Sequence, residues 1–254
     1  MRRASVVTVL LAAAVALSGV ALAATHAASR SSCNLTQKRA LISCAHTNLA
    51  GKNLVRANLR DANLAGANLI GATLTQANLA SANLARANLS RARVDLANLA
   101  FANLVGAVST DAKMTRTSLY GASLARANLS GANLVRADLA GANLVGANLA
   151  HANLSLANLA GANLAGANLT GATLTTASLV GANLSNANLN RAVLVDATVT
   201  GAYLIRTRLT GANLRSAALM GSDLWRANLT GAKLKNVGWS EAICPSGRKA
   251  KTHC

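Results

Sequence analysis

The sequence predicts an all-β solenoid, a chain wound into stacked coils, and three observations predict it. From Thr47 to Asn236 the chain divides into 38 quintets without an insertion or deletion, covering 190 of its 254 residues. The third place of the quintet is Leu in 34 cases, the exceptions being Val94, Ser109, Met114 and Val199. Aromatics make up 2% of a chain that is 52% hydrophobic, so its core must be filled with Leu and Ala rather than rings.

Neither standard element can use a five-residue period. On an α-helix five residues advance about 500°, so successive leucines would never form a stripe. On a straight strand five is odd, and successive leucines would alternate between faces. A chain that turns the same way after every quintet keeps every Leu inside. With about four turns to a coil, residue n lies under residue n+20. The first place is Ala in 33 quintets and the second is Asn in 22, while all sixteen glycines between Gly51 and Gly231 take the fifth place. Gly there suits corners, where positive φ or close backbone approach is needed. The single proline, Pro245, lies beyond the repeats, so backbone N–H groups within them are free to bond between coils.

The quintets, as in Ala57-Asn58-Leu59 and Ala162-Asn163-Leu164, resemble the tandem Ala-(Asp/Asn)-Leu-x-x units of the pentapeptide-repeat family. The resemblance implies a right-handed quadrilateral parallel β-helix, with first-place and third-place side chains inward and the other three outward. Thirty-eight quintets make about 9.5 coils, a rod of roughly 45 Å at the inter-strand spacing. An open end would expose apolar core and unpaired backbone, so short end caps are expected. Residues 24–46 are read as the N-terminal cap, with a short helix around Gln37–Ile42, and residues 237–254 as the C-terminal cap. Trp239 stays in phase with the leucine column and is expected to plug that end.

Met1-Arg2-Arg3, an apolar run from Val6 to Ala24, and Ala21-Leu22-Ala23 read as a signal peptide over residues 1–23. Ala27 is the second choice of cleavage site, and an uncleaved membrane anchor the alternative. The expected location is secreted, extracellular or in the cell envelope. Four cysteines flank the repeats, and an exported chain favours two local disulfides, Cys33–Cys44 and Cys244–Cys254. A zinc site of Cys44, His46, His253 and Cys254 is the alternative.

The formal charge of +18, from 25 Lys/Arg against 7 Asp/Glu, falls to +16 once Arg2 and Arg3 are removed. It excludes a dense acidic surface and a carboxylate-built calcium array. The charge gathers in two groups, Lys52 to Arg136 and Arg191 to Lys235. Gly121, Gly141, Gly161, Gly181, Gly201 and Gly221 share one column, flanked by small or apolar fourth places such as Ala140, Ala160 and Val180. No Lys or Arg falls between Asp138 and Arg191, which leaves a smooth uncharged wall suited to packing against another chain. With residue n under residue n+20, Tyr203, Ile205, Arg206, Trp225 and Arg226 share a face, a combination of aromatics and Arg suited to recognition. Arg93, Phe101, Lys113, Arg116 and Tyr120 form a secondary patch, with Arg93 stacked over Lys113. Arg91 and Asp111 are expected to pair vertically. Ser109 points inward and His151 lies two coils from Asp111, so these three make no nucleophile–base–acid set. Ser109 and Met114, in the leucine column, suggest a local kink or a thinner core.

These features point to a non-enzymatic binding or structural module, without a cofactor or metal, whose partner is a protein or an anionic cell-envelope polymer. Membrane association is expected only if the signal segment stays uncleaved. Some pentapeptide-repeat proteins resemble DNA and bind gyrase, so topoisomerase protection is the alternative the resemblance implies. Here Asn stands where such proteins carry Asp, only Asp138 and Asp223 remain at the second place, and the charge is basic. Non-specific nucleic-acid binding fits the charge, but no base-reading motif is present.

Overall fold

Residue n pairs with residue n+20 in one parallel register from Ser43↔Asn63 to Asp223↔Ile243. The computed structural model describes Cys33, residues 43–250 and residues 252–254. The expected signal peptide and the helix around Gln37–Ile42 lie outside the described residues.

Each coil has four sides of three residues and four two-residue corners. In the first coil the sides are 47–49, 52–54, 57–59 and 62–64, and the corners are 50–51, 55–56, 60–61 and 65–66. They are called the first to fourth side and corner below, and the same names apply in every later coil. Coils are joined by three recurring backbone bonds. Leu144 N–H donates to the Asn163 carbonyl at 2.7 Å, Asn163 N–H to the Ala142 carbonyl at 2.9 Å, and Gly146 N–H to the Ala165 carbonyl at 3.0 Å. A fourth bond closes each corner, as Ala147 N–H donates to the Leu144 carbonyl at 3.0 Å.

The second-place Asn locks the corner that follows it. Asn143 Oδ1 accepts the Val145 N–H at 3.2 Å, as second-place Asn does along much of the rod. Several also hand a bond up the column: Asn168 Nδ2 donates to Asn148 Oδ1, and Asn148 Nδ2 to Asn128 Oδ1, both at 3.1 Å. Asn is therefore a structural choice at this place, because it supplies both an acceptor and a donor.

Every fifth-place residue from His46 to Glu241 has positive φ, sixteen glycines and 24 others alike. A negative φ at the fourth place followed by a positive one is the pattern of a type II turn. An L-residue there costs about 1 kcal/mol relative to Gly. Leu96, Phe101 and Leu156 are the apolar residues that bear this cost.

Inside, first-place Ala and third-place Leu stack in columns and are almost all fully buried. Several of the exceptions find backbone partners. Thr117 and Thr207 replace Ala, and their hydroxyls donate to the carbonyls of Val94 and Leu184, both at 2.8 Å. The kink expected at Ser109 and Met114 is absent. Ser109 N–H still bonds Asn128 O at 2.7 Å, and Met114 N–H bonds Asn133 O at 2.8 Å. Backbone pairing holds the register there, and the flexible Met114 fills its layer.

Trp239 is 5% exposed and joins the core. Beyond it, Ile243 pairs antiparallel with Lys249, folding residues 243–249 back as a hairpin. Disulfides join Cys33 to Cys44 and Cys244 to Cys254. All four sulfurs are thereby used, which overturns the zinc alternative. Leu229 and Leu234 in the last coil are only partly buried.

Candidate functional site

Corner side chains lean along the rod toward the next coil. His46 lies over Gly66, Phe101 over Gly121, Asp111 over Gly131 and His151 over Gly171. The lean follows from the shared positive φ, which aims each fifth-place Cβ the same way. Arg56 uses the lean to donate from Nε to Gln76 Oε1 at 2.8 Å, one coil on, whereas Arg91 and Asp111, although adjacent in their column, form no ion pair among the described residues. Asp111 reaches onward to Gly131 and away from Arg91.

The fourth corner near the C-terminal end carries the first patch. Arg226 places its guanidinium 4.4 Å from the centroid of the Trp225 ring, and Arg206, one coil earlier, lies at 5.8 Å. Both distances are within cation–π range. Trp225 N–H donates to Asp223 Oδ1 at 2.9 Å, which fixes the start of the corner. The other edge of the indole lies against Gly247 of the hairpin, where a Cβ would stand 3.4 Å from Cδ1. The ring is thus held by two cations and one backbone while still 39% exposed. Tyr203, on the fourth side and opposite Asp223 on the next coil, is 53% exposed, and Ile205 is half-buried beside it. Behind the hairpin a cavity of about 530 Å³ is bounded by Leu229, Leu234, Pro245 and the Cys244–Cys254 disulfide.

The secondary patch divides into two clusters. Arg93 and Lys113 are bridge partners on the second side, and Arg116 stands at the second corner. Phe101 and Tyr120 are on the third corner, edge to face with centroids 5.4 Å apart and planes at 89°. The third side separates them. The second corner also holds a cavity of about 500 Å³ that sequence reading passed over, with Leu96, Arg116, Arg136 and Leu156 in its lining. The signal for it was present: positions 96, 116, 136 and 156 fall in one column of the n+20 register. Among the described residues no group of three or more His, Cys, Asp or Glu gathers as a metal site.

The family profile described as pentapeptide repeats matches residues 42–76, 57–94, 95–131, 122–159, 132–171, 157–196 and 200–236. Among solved structures the chain is similar to HetL, a pentapeptide repeat protein involved in heterocyst differentiation regulation in the cyanobacterium Nostoc sp. strain PCC 7120. That match has 37% identity, spans 81% of this chain and 92% of HetL, and has a TM-score of 0.60. QnrB1, a plasmid-mediated fluoroquinolone resistance protein, matches at 18% identity over 77% of this chain and 92% of its own, with a TM-score of 0.38. Among curated proteins none matches the chain. On the profile match and the likeness to HetL, the chain belongs to the pentapeptide-repeat family, whose members form right-handed quadrilateral β-helices.

Proposed function

We propose that this protein is a secreted, non-enzymatic solenoid that binds anionic polymer of the cell envelope through the Trp225 corner. The observation that carries the reading is the Trp225 indole with the Arg206 and Arg226 guanidinium groups 5.8 and 4.4 Å from its centroid, on a residue that stays 39% exposed. An exposed Trp so placed offers a rigid apolar plate, and the two guanidinium groups supply planar donors for phosphate or carboxylate. Tyr203 widens the plate on the adjoining side. The net charge of +16 left after processing would draw a polyanion toward the rod, and the N-terminal segment supports export.

The test is retention of purified protein on immobilised poly(glycerol phosphate) across a salt series. Retention should be strong at low salt and fall steeply as salt rises, since released counterions drive such contacts. Arg206→Ser with Arg226→Ser should weaken it about tenfold, and so should Trp225→Ala. Unchanged retention in both variants, or no retention at low salt, would sink the reading. Capture that is insensitive to salt would point to a protein partner instead.

A further inference from the structure

We propose that the second corner, between Leu96 and Leu156, binds an extended acidic peptide segment of a partner protein. The segment would carry two apolar residues four positions apart with carboxylates between them. The site lies on a different corner from Trp225 and stands independently of the reading above.

Leu96 and Leu156 are the first evidence. Their φ angles are 60° and 62°, in the left-handed region, and both side chains are 48% exposed. A leucine at such a place takes on backbone strain and leaves apolar surface in water. Glycine or a polar residue stands at every other described fifth place except Phe101, and Phe101 packs on Tyr120 and Gly121. The two leucines instead line the cavity of about 500 Å³. Two half-exposed leucines in one corner column, around one cavity, point to a site.

The charges around the cavity say what occupies it. Arg116 and Arg136 stand between the leucines in the same column, with Val135 beside them. Arg93 and Lys113, stacked on the adjoining second side, add two more cations. Asp95 is the one carboxylate in the lining, and its Oδ1 is engaged by Thr115 N–H at 3.1 Å. The lining thus holds two arginines against one carboxylate that is already bonded, with two further cations on the adjoining side. Farther along the same column stand Thr176, Asp196 and Ser216, so the apolar and basic pattern ends with Leu156.

Length narrows the ligand further. Leu96 and Leu156 are three coils apart, about 14 Å at the strand spacing, which is the span of about four residues of extended chain. A polyanion without apolar groups would use the arginines and leave both leucines idle. An acidic peptide uses all four, because its middle carboxylate shares the leucines' face of the extended chain and lies between the two arginines.

The probe is a fluorescein-labelled Leu-Glu-Asp-Glu-Leu peptide with blocked ends, read by anisotropy against Ser-Glu-Asp-Glu-Ser. The leucine peptide should bind at least about tenfold tighter than the serine one. Leu96→Gly with Leu156→Gly should abolish that preference while the protein melts at the same or a higher temperature, because Gly relieves the strain. Arg116→Ser with Arg136→Ser should weaken binding about tenfold and flatten its salt dependence. Trp225→Ala should leave the peptide unaffected, which separates this site from the polymer surface. Equal binding of the two peptides, undiminished binding by the glycine variant, or no binding of either peptide would overturn the proposal.

Discussion

Phe101 lies across Gly121, one coil on, so closely that a Cβ at position 121 would stand 2.7 Å from the ring's Cε1. The next glycine in that column, Gly141, has nothing within 4 Å of the same point. Both have positive φ, 62° and 64°, so alanine at either place costs about 1 kcal/mol of strain. Only Gly121→Ala must also displace the phenyl ring from Tyr120. It is expected to cost about 1 kcal/mol more than Gly141→Ala in urea titrations, because aromatic pairs contribute on that order. The excess should vanish when Phe101→Ala is combined with it, as a double-mutant cycle will show.

The leucine column should respond by position. Leu144 is fully buried in the middle of the rod, and Leu144→Ala is expected to cost about 3 kcal/mol through lost transfer energy and the cavity left behind. Leu234 is partly exposed in the last coil, so Leu234→Ala should cost about 1 kcal/mol. Denaturant midpoints of the two variants measure the gradient.

Asn148 separates the two tasks of the second-place amide. Its Oδ1 accepts both Ala150 N–H and Asn168 Nδ2, while its own Nδ2 donates to Asn128. Asn148→Asp keeps the acceptor and loses the donor; Asn148→Ala loses both. The alanine variant should be the less stable, by about 1 kcal/mol, in thermal or urea melts.

The last coil should loosen when its disulfide is removed. Cys244 N–H bonds Arg248 O and Ala250 N–H bonds Ala242 O, both in the hairpin region that Cys254 fastens. Cys254→Ser is expected to raise hydrogen exchange at these amides and at Arg226 N–H, which bonds Pro245 O. Amides around Leu144 should keep their protection, since each coil touches only its neighbours.

Much of this architecture was legible from the period alone. An odd repeat with an unvarying Leu cannot serve a helix or a flat strand, and a coil of four quintets then puts Arg206 near Trp225. The column reading also assigned Gly to corners, but the reason proved broader. Arg116, Asp111 and Leu156 take the same positive φ, because the register between coils imposes the turn and the residue accepts it. What stayed hidden depended on side-chain direction. Arg91 and Asp111 occupy neighbouring places yet do not pair, and the Asp111 carboxylate reaches onward over Gly131 instead. Leu96 and Leu156 escaped notice because they are far apart in the chain and unremarkable as leucines; their backbone angle makes them stand out.

The unbroken register has a consequence for how such a molecule changes over time. Because residue n and residue n+20 occupy equivalent places, removal or duplication of one whole coil between like positions joins matching ends and leaves every remaining contact type intact. The waist between Asp138 and Arg191 holds no Lys, Arg, Asp or Glu, so coils gained or lost there would alter little except length. The basic region around Arg116 and the one around Trp225 would then move apart or together in steps of about 5 Å, one coil at a time. The rod behaves as a ruler with interchangeable divisions, and the separation of its two charged ends is a quantity that inheritance can adjust without redesigning either.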